Sequence, residues 1–156
     1  MSVRAALGSR TEPEVLADRA LFSVPPIPQA MESMTPAERL SRVAETDSSF
    51  RRVGPNWVGK CLICNGPLAF DIRTGEGATL EHIRARSRGG SDDPNNLGIV
   101  HGRCNWEKGV RWDSKKRRSD HEYEAFIARL IDRRQERWRQ VPPDLAAVHR
   151  LQTDRG

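Results

Sequence analysis

Large apolar side chains are scarce in this sequence. Aromatic residues make up 6% of its 156 positions and hydrophobic residues 37%. A single domain is expected at this length. Its core must be small, and small cores are commonly held together by a metal or by disulfides. Three cysteines are too few for a disulfide framework, and all lie between residues 61 and 104 at a spacing that suits a metal. No long apolar run is present, and Met1 to Ala30 lacks the apolar stretch of a secretory signal. Neither a membrane span nor export is therefore expected. The expected compartment is a reducing cytoplasm.

The charge is abundant but uneven. Residues 1–48 carry 5 Lys/Arg against 7 Asp/Glu, residues 49–109 carry 9 against 6, and residues 110–156 carry 12 against 8. The basic excess thus falls on the middle and the end of the chain. That distribution points to a polyanionic partner, most simply nucleic acid. Arg far outnumbers Lys, so base composition of the coding sequence is a competing explanation.

Along the chain, residues 1–30 carry little pattern and include Pro-rich Ser23 to Pro28. They are expected to be a disordered tail, with a short helix near Glu12 to Ala20 at most. Residues 31–48 form a helical lead-in: Thr35 can cap, Pro36 suits the first helical position and Glu38 completes a capping box. Its thin apolar face, Leu40 and Val43, needs packing from elsewhere. Residues 49–118 form the central domain. Phe50 to Gly59 leads into the first cysteine pair, with Trp57 and Val58 packed on the metal-bound core. Pro67 to Ile72 reads as a short strand and Arg73 to Gly77 as a turn. Thr79 to Ile83 alternates as a strand. Arg84 to Asn96 is too polar and Gly-rich for regular structure. Leu97 to His101 is the returning strand, and a helix runs from Cys104 or Asn105 to about Val110. Residues 119–141 are a C-terminal helix, with a second capping box at Ser119 and Glu122 and an apolar face of Tyr123, Phe126, Ile127, Leu130 and Ile131. Arg129, Arg133, Arg137 and Arg139 lie mostly off that face. Residues 142–156 are a tail.

Cys61-Leu-Ile-Cys64 and His101-Gly-Arg-Cys104 repeat one spacing. Three thiolates and an imidazole make a closed tetrahedral set of the structural zinc type. Gly66 is expected to permit the tight turn behind the first pair. The site would lock the first knuckle to the end of the second strand and stabilise a small core. Three unrelated buried thiols are the duller reading.

The ordered set Cys61-x2-Cys64, Glu81-His82-Ile83, Ser87 with Gly89-Gly90, Asn96-Leu97 and His101 to Gly109 resembles the HNH nuclease family in its zinc-stapled form. The resemblance covers about a third of the chain. It implies an α+β fold, a small ββα-metal core flanked by N- and C-terminal helices. It also implies metal-dependent hydrolysis of DNA phosphodiester bonds. His82 matches the general base, Glu81 and Asn105 the ligands of a catalytic metal, and Asn96 the residue that braces the loop and orients the base. A carboxylate and an amide oxygen favour Mg2+ or Mn2+. Arg84, Arg86, Arg88 and Lys108 would contact phosphates. Three positions depart from the family's usual pattern: Glu81 replaces Asp or His, His101 replaces Cys, and Ala85 replaces Pro. Adjacent residues on a regular strand face opposite ways, so convergence of Glu81 and His82 needs a twisted strand end.

Three functions are compatible with these residues. The leading one is an HNH endonuclease acting on DNA, with specificity weak or supplied by a protein partner or a homodimer. The alternative is a non-catalytic zinc module that binds nucleic acid. The third is an interaction protein with a purely structural zinc. His121 and His149 are expected to face solvent.

Overall fold

The computed structural model describes residues 31–114 and 118–140. The expectations for the tails 1–30 and 142–156, and for His149, lie outside the described residues. Helix α1 spans Pro36–Glu45 and starts where the sequence directs it. Thr35 Oγ1 accepts from the Glu38 amide at 3.2 Å, and the Glu38 carboxylate accepts from the Thr35 amide at 2.7 Å. Strands β1 (Arg51–Val53), β2 (Asn56–Lys60) and β3 (Pro67–Asp71) form an antiparallel meander. Strands β4 (Thr79–His82) and β5 (Leu97–Val100) form a separate antiparallel hairpin, followed directly by helix α2 (Gly102–Lys108) and a π turn (Gly109–Asp113). Helix α3 spans Asp120–Glu136, with Ser119 and Glu122 making the second capping box. The expected order of strand, loop, strand and helix is present, in an α+β fold.

The β4–β5 hairpin separates two cores. Leu97 and Ile99 point to the first, with Leu40, Val43 and Ala44 of α1 and with Phe50, Trp57, Leu68 and Phe70. Val100 points to the second, with Cys61, Leu62, Ile83, Cys104 and the α3 residues Tyr123, Ile127 and Leu130. All four β5 residues are buried, as befits a strand covered on both faces. Gly98 takes the second face because Leu62 leaves no space for more. A Cβ there would stand 2.3 Å from Leu62 Cδ2.

Three local expectations need correction. Trp57 packs in the first core, not on the metal-bound one, and its indole N–H donates to Ser41 Oγ at 3.2 Å. In the knuckle the left-handed residue is Asn65, with φ of 59°, whereas Gly66 has an ordinary φ and gives its amide to Cys64 Sγ at 3.4 Å. Asn tolerates that region better than other side chains with a Cβ. The arginines expected mostly off the apolar face of the C-terminal helix do not all face solvent: Arg129 and Arg139 do. Arg134 is fully buried, Arg137 nearly so, and Arg133 partly.

Arg133, Arg134 and Arg137 each bind backbone carbonyls of other elements. Arg134 donates to Leu97 O at 2.8 Å, Pro94 O at 3.1 Å, and both oxygens of Thr46 at 3.2 and 2.6 Å. Arg133 reaches Leu62 O and Ile63 O at 2.6 and 2.8 Å. Arg137 takes Lys60 O at 3.1 Å and the Asn65 side chain. Helix α3 is thereby tied to α1, β5 and the knuckle by charge-assisted bonds, stronger than neutral ones. Burial lowers the Arg134 pKa to about 10, which leaves it charged at neutral pH. Arg134→Leu keeps the volume but removes the guanidinium donors from these acceptors, of which Thr46 O keeps the Arg139 amide. We expect a loss of about 3 kcal/mol in urea unfolding; an unchanged midpoint would show that water replaces the guanidinium at no cost.

Candidate metal centre and adjoining site

Cys61 follows β2 directly, and Cys64 ends the turn that leads to β3. His101 is the residue after β5, and Cys104 lies in the first turn of α2. The hairpin thus returns His101 and Cys104 to the knuckle. One donor atom from each of the four lies within 4.8 Å of all the others. His101 Nδ1 stands 3.4 Å from Cys64 Sγ and 3.8 Å from Cys104 Sγ. A tetrahedral zinc with bonds of about 2.3 Å to sulfur and about 2.0 Å to nitrogen puts S and N roughly 3.5 Å apart. The other ring nitrogen, Nε2, donates to Pro67 O at 3.0 Å, which leaves Nδ1 as the ligand atom.

The ionisation of the thiols fits a cation. Burial pushes Cys104 up to about 12, with Cys61 beside it adding to the rise. Burial also raises Cys64, but the Gly66 amide and the neighbouring Cys61, Cys104 and His101 bring it down to about 7. Three thiolates at this separation need a compensating divalent charge. The cluster can hold zinc.

The second expected metal site has another arrangement. Side chains of β4 alternate regularly. Leu80 packs toward the first core, and His82 pairs across with Leu97 on that same face. Thr79 and Glu81 take the opposite face, toward α2. Glu81 is buried and its carboxylate accepts from Lys108 Nζ at 2.6 Å. The same ammonium reaches both Asp113 oxygens at 3.0 and 2.9 Å and His82 O at 3.1 Å. Asn105, one turn before Lys108, gives its amide to Thr79 Oγ1 at 3.2 Å. Glu81 and Asn105 therefore lie on facing elements, but a lysine cation occupies the carboxylate that a metal would use. As arranged, the pair does not fit a divalent ion. Burial raises the Glu81 pKa despite the pull of Lys108.

His82 faces the loop instead. Its Nε2 lies 2.7 Å from Asp92 Oδ1, and Arg86 donates to that same oxygen from Nε at 2.9 Å and from a terminal nitrogen at 2.6 Å. A carboxylate only accepts, so Nε2 carries the hydrogen. His82 and Arg86 hold Asp92 below the usual carboxylate range. Asn96 braces the loop: its side-chain oxygen accepts from Arg84 N at 2.9 Å, and its amide donates to Arg84 O at 3.1 Å and Ser91 O at 2.7 Å. Gly90 closes against the same carbonyl, where a Cβ would meet Arg84 O at 1.8 Å. This accounts for glycine at that point of the motif.

The four basic residues expected at phosphates differ in availability. Lys108 is buried in the ion cluster. Arg88 leaves 9% of its side chain exposed, with the guanidinium 4.1 Å over Tyr123. Arg84 makes two bonds to Glu124 at 2.6 and 2.7 Å. Only Arg86 of the four has a largely exposed side chain, at 67%. Sequence reasoning missed Asp92, Asp113 and Glu124. Asp92 follows the Ser-Arg-Gly-Gly-Ser run without any periodic signal.

The Lys108 cluster yields a stability test. Removing one partner of a buried ion pair typically costs about 3–5 kcal/mol. Lys108→Met should lower urea stability at pH 7 by that order, with partial recovery in Lys108→Met/Glu81→Gln. Because a raised carboxylate pKa favours the protonated folded state, the deficit relative to the parent should shrink toward pH 4. Equal stability of parent and Lys108→Met at pH 7 would contradict the assignment.

Among the described residues no helix is long and apolar enough to cross a membrane. Residues 61–111 match the family model described as HNH endonuclease. No curated protein and no solved structure matches the chain. The match starts at the first thiol of the knuckle and ends in the π turn after α2, so it takes in the hairpin, the braced loop and all four cluster ligands. The stretch from Cys61 to Arg111 is a domain of the HNH endonuclease family, in a ββα arrangement.

Proposed function

We propose that the chain is an endonuclease that hydrolyses DNA phosphodiester bonds, with His82 as general base. The observation that carries this reading is the family match over residues 61–111, with His82 closing β4 beside a loop clamped by Asn96. In this reading Asp92 holds the hydrogen on Nε2, which leaves the lone pair on Nδ1. Nδ1 takes a proton from water as the water oxygen attacks phosphorus. The bond to the leaving sugar oxygen breaks, and that oxygen takes a proton from solvent. Arg86, exposed beside His82, is suited to the phosphate charge once it lets go of Asp92. The structural zinc would hold the hairpin to the knuckle and take no part in the reaction. With Lys108 on its carboxylate, Glu81 does not fit Mg2+ or Mn2+, and the reaction relies on the side chains named above.

That same lysine favours a second reading, a zinc module that binds nucleic acid without cutting it. Supercoiled plasmid incubated with zinc-loaded protein, without added metal or with Mg2+ or Mn2+, separates the two. We expect nicked or linear product, falling at least about 100-fold in His82→Ala, the usual weight of a general base. Unchanged cleavage by His82→Ala would sink the assignment of the base. Salt-sensitive binding with no cleavage under any condition would establish the binding module.

A further inference from the structure

Trp106 is 68% exposed, the most exposed large hydrophobic side chain among the described residues. The three other tryptophans are engaged. Trp57 is buried, Trp112 stacks on Phe126 at 4.1 Å, and Trp138 lies under Arg134 at 4.8 Å. An indole left in water on a short helix forgoes burial that its area would make favourable. Its surroundings say what could cover it.

On a helix the neighbours of residue 106 are residues 102, 103, 109 and 110. Two of these are glycines. A Cβ at Gly109 would meet nothing within 4 Å, and one at Gly102 only the Thr79 methyl at 3.9 Å. One side of the indole is therefore open, low ground. The other side carries Arg103, 84% exposed and only loosely paired with Glu107 at 4.0 Å. Arg111 is also exposed. Asn105 stands across the glycine strip, bonded to Thr79. A flat aromatic face, clear on one edge and cationic on the other, suits a planar base joined to phosphates. Among the described residues Val110 is the one apolar neighbour at helical spacing, short of the apolar ring that the interface core of a protein partner would need.

We infer that Trp106 is a stacking platform for an unpaired nucleobase of a DNA strand, with Arg103 and Arg111 on the flanking phosphates. A base in a perfect duplex has both faces covered, so single strands and duplexes with a bulged base are the preferred ligands. The inference shares the nucleic-acid reading above but does not depend on catalysis.

The test uses the full chain, zinc-loaded, without Mg2+ or Mn2+, so that binding is read whether or not the protein cuts. The probes are a labelled oligothymidylate, the same strand with abasic sites, a perfect duplex and a duplex with one bulged thymidine. Binding of oligothymidylate should quench tryptophan emission, and Trp106→Ala should remove that quenching and weaken binding roughly tenfold. Trp106→Phe should keep part of the affinity. The abasic strand should bind parent and Trp106→Ala alike, and the bulged duplex should bind the parent more tightly than the perfect one. Equal oligothymidylate affinity of parent and Trp106→Ala would overturn the inference. So would an equal loss on the abasic strand, or a change of oligomeric state in Trp106→Ala with DNA binding unchanged. Zinc content and circular dichroism of each variant show that it is folded.

Discussion

The junction of Cys61, Cys64, His101 and Cys104 is the constraint on which the rest depends. It joins the turn after β2 to the step from β5 into α2, segments that are far apart in sequence. The apolar supply is thin, and it is divided between two cores on either side of one hairpin. Neither core alone would fix the angle at which α2 leaves β5. A four-ligand centre would, because tetrahedral geometry sets His101 and Cys104 relative to the knuckle. The direction of α2 in turn sets where Asn105, Trp106 and Lys108 point.

Charge does much of the remaining work. Toward the end of helix α3, guanidinium groups bind the carbonyls of Thr46 after α1, Lys60 in β2, Leu62 in the knuckle and Leu97 in β5. Lys108 with Glu81 and Asp113 does the same beneath the hairpin. Such groups are costly to bury and costly to break, so they fix geometry more than they add stability. The alternation along β4 sends the Glu81 side chain into the ion cluster and leaves the His82 side chain with the loop, against Asp92.

Much of this was legible in the sequence because it rests on local rules. Both capping boxes, the knuckle spacing and the alternation of β4 and β5 each depend on a few adjacent residues. The remainder depends on contacts distant in sequence. Strand β1 is exposed along its whole length, so it has no apolar signal, and β2 is recognised only by pairing with it and with β3. Lys108 is expected at phosphates and Arg134 carries no signal in the sequence, because their partners, up to 88 residues away for Arg134, meet them only in the fold. The ligand roles of Glu81 and Asn105 were implied by the family resemblance alone, and the facing of adjacent strand residues was the physical objection to a shared site with His82. The regular alternation of β4 agrees with that objection.

The fold depends on a metal at the junction. The direct measurement is X-ray absorption at the zinc edge on purified full-length protein, with metal content and a chelator titration followed by circular dichroism. One zinc per chain, bound by three sulfurs and one nitrogen, and loss of the fold in step with loss of zinc are the predicted results. A chain that stays folded with no zinc bound, or with its zinc in an oxygen-rich shell, would contradict it.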